Sequence, residues 1–232
     1  MKLMRERTRE WLWITTLAVV IGGVFRAWPE LDIAISRAFQ HADGSFAGND
    51  SAVVMALYWS VPWIGRILGL GGLAIGLIGL WRRDWIGVRL RHRALSLALV
   101  FLVGVSAAVN FGLKEHWGRP RPASTSVLGG TLVFQPVLQP SNQCQRNCSF
   151  VSGHAATGYA LLAVGLMAAP RLRRRWLAVG AAAGLLLGLA RVSQGAHFTS
   201  DILFAGLVVW ACASGVRHAW LALRARRVYR VR

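Results

Sequence analysis

The sequence predicts an all-α fold, a polytopic membrane protein with six transmembrane helices in one bundle and both termini in the cytoplasm. Hydrophobic residues make up 55% of the 232 residues, and the basic residues cluster in short runs between long apolar segments. This composition is too apolar for an ordinary soluble domain. The formal net charge of +18 would suggest nucleic acid in a soluble protein, but the distribution of that charge argues against a nucleic-acid partner.

Six segments are long and apolar enough to span a bilayer, for which about 20 residues are needed. They cover residues 11–28, 62–81, 94–113, 154–170, 176–192 and 201–222. Tryptophans lie near the ends of several segments, as is common at membrane interfaces. Together the segments predict one membrane-embedded domain over residues 1–232. Residues 1–28 could instead be a signal peptide, but no small-residue cleavage site follows their apolar core.

The basic residues predict the orientation in the membrane. Most of the 27 Lys and Arg residues fall in the N-terminal segment, the second and fourth connections between spans, and the C-terminal segment. With six spans these four segments share one side, which the positive-inside rule makes the cytoplasmic side. The connections at 29–61, 114–153 and 192–200 then face outward. In the first of them, Ala52–Ser60 is expected to form a short interfacial helix.

Small residues recur every four positions in two of the predicted spans. They are Gly104, Ala108 and Gly112 in the third span, and Gly180, Gly184 and Gly188 in the fifth. Such a pattern allows close helix contact in lipid. If these two helices pack together, their outward ends bring Lys114 close to Arg191.

Two of the three cysteines, Cys144 and Cys148, lie in the longest outward connection. In an oxidising compartment their spacing makes a short disulfide plausible. A metal-binding pair is the alternative, although no second pair of ligands accompanies it.

Three polar clusters lie at the outward ends of predicted helices, at residues 114–122, 148–154 and 191–201. Ionisable groups beside membrane helices are energetically costly, so a functional site is the default interpretation. Cleavage of a phosphoester needs fixed cations around the non-bridging oxygens, and Lys114, Arg121 and Arg191 supply them. Ser152 and Gly153 lie where the fourth helix should begin, and a helix start offers free backbone N–H groups to an anion.

Two histidines and one aspartate can carry out the reaction itself. His197 and Asp201 are four positions apart, which places their side chains on one helix face. An aspartate that accepts from one imidazole nitrogen fixes the tautomer and stabilises the cation that develops on the ring. His154 is then available to protonate the leaving oxygen.

These clusters resemble the signatures of the type 2 phosphatidic acid phosphatase superfamily, K-x6-R-P, P-S-G-H and S-R-x5-H-x3-D. The signature positions that supply a chemical group are occupied by Lys114, Arg121, Ser152, Gly153, His154, Arg191, His197 and Asp201. Val151 replaces a proline and Ala190 a serine, and neither position supplies a reacting group.

The resemblance implies a membrane lipid phosphatase that forms a phosphohistidine. His197 would be the nucleophile, Asp201 would orient it, and His154 would act first as acid and then as base. The phosphate-binding residues would be Lys114, Arg121, Arg191, Ser152 and Gly153. The family works without an essential metal or other cofactor. Its partners would be a lipid phosphate and the bilayer.

The resemblance leaves the substrate open among lipid A, undecaprenyl pyrophosphate, phosphatidylglycerophosphate and phosphatidate. Neutral side chains in the 114–153 connection suit a sugar-bearing headgroup and favour lipid A, with undecaprenyl pyrophosphate as the alternative. These side chains are Gln135, Gln139, Asn142, Gln143 and Asn147. A lipid phosphotransferase is a further possibility within the family. The implied location is the bacterial cytoplasmic membrane, with the site on the periplasmic or extracellular face.

Functions of other classes agree less well with the sequence. A transporter is disfavoured because the charges lie at helix ends rather than in mid-span and no inverted repeat is evident. A structural scaffold leaves Arg191, His197 and Asp201 without a role. Arg119 and His116 match no signature and are expected to be solvated, with contact to a substrate headgroup as the alternative for Arg119. Asn110 is expected to link helices.

Overall fold

The computed structural model describes residues 2–230, and within that range it contains helices and loops but no β-strand. The helices are α1 (Lys2–Ala27), α2 (Glu30–Arg37), α3 (Ala52–Trp81), α4 (Val88–Leu99), α5 (Lys114–His116), α6 (Gly153–Tyr159), α7 (Leu162–Leu166), α8 (Pro170–Ser193) and α9 (Thr199–Arg230). A π-helical segment, Val100–Leu113, joins α4 to α5. Of the basic residues used to predict orientation, Arg232 lies outside the described residues, as do the side chains of Lys2, Arg226, Arg227 and Arg230.

Among residues 2–230, five helices are long and apolar enough to cross a membrane. They are Met4–Ala27, Ala52–Trp81, Val88–His116, Pro170–Ser193 and Thr199–Ala225. The all-α membrane class predicted from the sequence is thereby confirmed. The predicted fourth span, 154–170, has a different form, because it is divided into the short helices α6 and α7.

The α6–α7 segment lies at the centre of the bundle, where most of its residues are buried. The helix is interrupted after Tyr159, where the N–H of Leu161 donates to the carbonyl of Gly158, three residues back. Such irregular backbone is tolerated at membrane depth when protein surrounds it. Pro170 then opens α8, where a first-turn proline costs no helical hydrogen bond.

The predicted interfacial helix over Ala52–Ser60 is not separate, because α3 is a single helix of 30 residues. Its N-cap is Ser51, whose hydroxyl accepts from the N–H of Val54. Pro62 lies inside α3. Proline has no N–H, so the helix lacks the hydrogen bond that would run from residue 62 to the carbonyl of Tyr58.

The sequence left open whether the third and fifth spans pack together, and in the structure Gly104, Gly180, Gly184 and Gly188 face other helices. A Cβ placed on Gly104 would instead meet Cys212 of α9, at 3.3 Å. In α8, a Cβ on Gly184 would come within 2.3 Å of the Tyr159 ring, and one on Gly188 within 2.2 Å of Ile202. The glycine-containing faces of these two spans therefore pack against α6 and α9, which have bulkier side chains at these contacts.

Ion pairs join three helices at one end of the bundle. Glu10 of α1 accepts from Arg173 of α8 at 2.8 Å, and from Arg217 and His218 of α9 at 2.7 and 2.9 Å. Arg173 and Arg191 are about 27 Å apart along α8 at the rise of an α-helix. The signature residues therefore lie at the opposite end of the bundle.

Candidate active site

Three cations converge at the end of the bundle opposite Glu10. Lys114 and Arg191 lie in the last turns of two long helices, and Arg121 lies in the loop after Lys114. Lys114 and Arg191 are buried, Arg121 is half-buried, and Lys114 interacts electrostatically with both arginines. Arg121 donates twice to the carbonyl of Asn147, at 2.8 and 3.2 Å. Like charges this close destabilise one another. A phosphate between them would remove that repulsion, so the cluster is suited to binding one.

Arg191 has one buried hydrogen-bond donor that is not used by the protein. Its guanidinium donates to the side-chain oxygen of Gln194 and lies 4.6 Å from the centre of the Tyr58 ring. Its Nε is buried and has no hydrogen-bond partner among the residues that the structure describes. A buried donor without a partner is costly, and an anion at this position would satisfy it.

His197, in the turn between α8 and α9, is fully buried. Its Nδ1 lies 2.7 Å from the carbonyl oxygen of Ser149, compared with 3.8 Å from the carboxylate of Asp201. Because a carbonyl only accepts, Nδ1 carries the hydrogen. The Nε2 of the neutral ring therefore presents a lone pair, and within residues 2–230 this atom is buried without a hydrogen-bond partner.

The surroundings keep the His197 ring neutral. Burial lowers its pKa to about 3, the carboxylate of Asp201 opposes that shift, and the charges of Lys114 and Arg191 add to it. A neutral imidazole with one fixed N–H and one free lone pair is the form that attacks as a nucleophile.

Asp201 is surrounded by donors. Its carboxylate accepts from Arg119 and from the Ser149 hydroxyl, each at 2.5 Å, and from the N–H of Phe198 at 2.9 Å. Ser149 therefore links the two groups, since its hydroxyl donates to Asp201 and its carbonyl accepts from His197. The carboxylate lies close enough to stabilise a positive charge on the imidazole without contacting it directly.

Arg119 is not solvated, as the sequence had suggested, but fully buried. It bridges Asp201 to Asp32 of α2, to which its Nη2 donates at 2.9 Å. Its Nε donates to the carbonyl of Gln135, also at 2.9 Å. Burial raises the pKa of Asp32, and the charge of Arg119 opposes that shift. The signatures do not include Arg119 or Asp32, yet both belong to the network around His197.

The long loop is attached to the end of α5 by its backbone. The N–H of Ser149 donates to the carbonyl of Arg119, and the N–H of Cys148 to that of Lys114. Gly118 has φ of +71°, and a Cβ there would lie 1.5 Å from the carbonyl oxygen of Ser141. Only glycine fits that close approach. Cys144 and Cys148 form a disulfide in the same loop.

His154, at the start of α6, is held by α3. Its Nε2 lies 3.1 Å from the carbonyl oxygen of Tyr58. The two rings stack, with centroids 5.4 Å apart and planes 7° from parallel. His154 interacts electrostatically with Lys114, Arg121 and Arg191. The second histidine thus faces the same site from another helix.

Ser152 and Gly153 precede His154 and shape the start of α6. The hydroxyl of Ser152 caps the helix by accepting from the N–H of Ala155, and its own N–H contacts the carbonyl of Asp201. A Cβ on Gly153 would lie 2.6 Å from the amide oxygen of Asn110. The eight residues singled out by their sequence pattern therefore all lie in one cluster.

Two cavities adjoin the cluster. A cavity of about 260 Å³ is lined by Arg121 and Arg191 together with the polar side chains of Asn49, Ser124 and Gln194. A second, of about 710 Å³ and mostly apolar, runs between α3 and the Val88–His116 helix and reaches Asn110.

Of the amides expected to line a headgroup pocket, the side chain of Gln143 instead pairs with the backbone of Val133. Gln135 and Asn147 contribute their backbone carbonyls, which accept from Arg119 and Arg121. Within residues 2–230, no group of three His, Cys, Asp or Glu side chains is arranged to hold a metal ion.

Sequence reasoning overlooked Asp32, Tyr58 and Ser149, and it expected Arg119 to be solvated. One signal was available for Arg119, because the segment 114–121 holds three cations and a buried excess of positive charge needs a counter-ion. Asp32 and Asp201 are the counter-ions of Arg119, but nothing in the local sequence of Asp32 indicates a partner 87 positions away.

Comparisons with known proteins agree with the motif pattern. The family model described as PAP2 superfamily matches residues 95–225. The chain is 33% identical over 188 residues to a lipid A 4'-phosphatase of Francisella tularensis subsp. novicida, covering 80% of this chain and 84% of that protein. It is 34% identical over 221 residues to the lipid A 4'-phosphatases of Rhizobium etli and Rhizobium leguminosarum, covering 87% of this chain and 82% and 91% of theirs. No solved structure matches at a comparable level.

Proposed function

Because the chain belongs to the PAP2 superfamily and is a phosphoric ester hydrolase of the membrane, we propose that it removes a phosphate from the sugar headgroup of lipid A. The observation that carries this proposal is the buried lone pair of His197 close to the charges of Lys114 and Arg191. The curated relatives named above are lipid A 4'-phosphatases, and that name favours this substrate over the other lipid phosphates.

The reaction proceeds in two steps. Nε2 of His197 attacks phosphorus while Lys114, Arg121 and Arg191 hold the non-bridging oxygens. The phosphorus–oxygen bond to the sugar breaks, and His154 gives its proton to the departing oxygen. The imidazole then carries phosphate and a positive charge, which Asp201 stabilises.

In the second step His154 takes a proton from water, and the resulting hydroxide attacks the phosphohistidine. The phosphorus–nitrogen bond breaks, inorganic phosphate leaves, and His197 returns to its neutral form. The sequence of events needs no redox partner and no co-reactant other than water.

The cavities suit the two halves of such a lipid. The 260 Å³ cavity combines two cations with neutral hydrogen-bonding groups, a lining suited to a phosphorylated sugar. The apolar cavity of about 710 Å³ lies beside membrane-length helices and reaches the site at Asn110. A lipid chain can enter it sideways from the bilayer while the headgroup stays at the site.

We assign the α6–α7 segment as a sixth crossing of the membrane. With six crossings, both termini lie on the cytoplasmic side. Two observations support this topology. The Glu10 cluster gathers the starts of α1 and α8 and the later part of α9 at one end, where the basic connections also lie. The reacting groups lie at the other end, so the site faces the periplasm or the exterior.

The test is phosphate release by the purified protein in detergent, with a chelator present. The panel contains lipid A, undecaprenyl pyrophosphate, phosphatidylglycerophosphate and phosphatidate, with His197→Ala as the control variant. Release from lipid A that is lost in the variant, at an unchanged melting temperature, is the expected result. Retained release by folded His197→Ala protein rules out the nucleophile, and preference for another lipid rules out the substrate.

A further inference from the structure

Pro62 interrupts the hydrogen bonding of α3 beside the candidate site. In an uninterrupted helix the N–H of residue 62 would donate to the carbonyl of Tyr58, four residues earlier. Proline has no N–H, so this carbonyl receives no hydrogen bond from its own helix at that position. A polar group at membrane depth needs another partner.

That partner is His154. Its Nε2 lies 3.1 Å from the Tyr58 carbonyl oxygen, although the two residues are 96 positions apart. A carbonyl only accepts, so Nε2 must carry a hydrogen in every protonation state of the ring. The other nitrogen, Nδ1, is then the atom that can gain and lose a proton.

The Tyr58 side chain fixes the same ring in a second direction. Its own ring stacks on the imidazole nearly parallel, and the guanidinium of Arg191 lies 4.6 Å from the Tyr58 ring centre. The hydrogen bond sets the rotation of the imidazole within its plane, and the stacking sets the plane. The acid and one phosphate-binding cation are thus located by one residue of α3.

We propose that Pro62 is a positioning residue for His154. By withholding a hydrogen bond from the Tyr58 carbonyl, it leaves that carbonyl to bind Nε2, so that Nδ1 delivers the proton to the leaving oxygen and later takes one from water. This inference rests on the proposed function, in which His154 is the acid and base.

The test is Pro62→Ala, which restores the missing N–H and makes it a competitor for the Tyr58 carbonyl. We expect kcat to fall at least about 10-fold, part of the roughly 10²- to 10⁴-fold that acid–base catalysis contributes. KM should stay within about 2-fold because the phosphate-binding cations are unchanged. The melting temperature should stay equal or rise, since alanine is far better than proline inside a helix.

Pro170→Ala is the matched control. Pro170 is at the first position of α8, where a missing N–H leaves no carbonyl unpaired. We expect this variant to keep the kcat and KM of the original protein.

The tautomer of His154 gives a readout that does not depend on turnover. In protein carrying ¹⁵N-histidine, the His154 signals are identified by their loss in His154→Gln. The original protein should show hydrogen on Nε2, and Pro62→Ala should show a mixture of the two tautomers. Unchanged kcat, or a lower kcat with an unchanged tautomer, overturns the inference. If the original protein releases phosphate from none of the four lipids, the proposed function fails, and the tautomer still decides whether Pro62 positions the ring.

Discussion

At the scale of single residues, Arg119 sets the net charge of the carboxylate network beside His197. It lies between Asp32 and Asp201, so one positive charge is shared by two carboxylates. Together these three side chains carry a net negative charge as long as both carboxylates are ionised. That excess negative charge lies next to the His197 ring, and in the proposed reaction it lowers the energy of the positive charge that develops on the ring.

The role of this network can be tested with Arg119→Gln. The variant leaves two fully buried carboxylates without a cation, and we expect the free energy of unfolding to fall by about 3–5 kcal/mol. Adding Asp32→Asn removes one of the unpaired charges and should recover part of that loss. Unfolding in detergent measures both effects.

Asp50→Asn is the control for loss of an ion pair in general. Asp50 pairs with His41 at 3.3 Å, but both side chains are more than half exposed, at 71% and 51%. Exposed pairs contribute about 0–1 kcal/mol, so this variant should unfold like the original protein. An Arg119→Gln protein as stable as the Asp50→Asn protein would contradict the assigned role of the network.

At the scale of helices, the fit of α6 against α8 depends on glycine. Gly184 of α8 faces the ring of Tyr159, and a Cβ would approach that ring to 2.3 Å. Because α6 carries Ser152 and His154 at its start, its position relative to α8 also sets the distance between His154 and Arg191.

We therefore expect Gly184→Ala to destabilise the protein by about 1–3 kcal/mol, the usual cost of overpacking a core. The matched control is Gly71→Ala in α3, where a Cβ would meet nothing within 4 Å. That variant should be neutral or slightly stabilising, because alanine favours a helix more than glycine does. Equal melting temperatures for the two variants would show that α6 can move away from α8 at little cost.

The helices that sequence reasoning placed well are those with one continuous apolar run. The segment 154–170 is a continuous apolar run, but most of its residues are buried within the protein, and hydropathy does not distinguish a protein from a lipid environment. The continuity of α3 through Pro62 was missed because proline usually ends or kinks a helix. Here the cost is reduced, since the Tyr58 carbonyl binds His154 instead.

The same contrast applies to the candidate site. Lys114, Arg121, His197 and Asp201 could be predicted because their spacing within a short segment carries the information. Asp32 and Tyr58 are single residues in unremarkable surroundings, and each meets its partner only after helices from distant parts of the chain have packed. No local pattern records such a contact.

At the scale of the whole molecule, the disulfide makes the stability of the loop beside His197 depend on the redox conditions around the protein. Cys148 is bonded to Cys144, and the next residue, Ser149, contacts both His197 and Asp201. A cross-link over so short a loop stabilises its folded form by about 2 kcal/mol. The loop that contacts His197 is thus more stable in an oxidising environment.

We expect the double variant Cys144→Ser with Cys148→Ser to release phosphate several-fold more slowly. A reductant should slow the original protein to the same rate and leave the double variant unaffected, even though that variant retains the free thiol of Cys212. Phosphate release measured with and without reductant provides the comparison. An original protein whose rate is insensitive to complete reduction would show that the loop holds its shape without the bond.

The position of Asp32 and Tyr58 in the chain bears on how this protein could be recombined with its relatives. The family model matches residues 95–225, yet the carboxylate that balances Arg119 and the carbonyl that holds His154 both come from the first 60 residues. A chimera that grafts residues 95–225 onto the N-terminal part of another member would carry every signature residue. Unless the donor of that part supplies an acid and an aromatic residue in register, the graft would still have a mismatched site. The exchangeable module is therefore larger than the segment that defines the family.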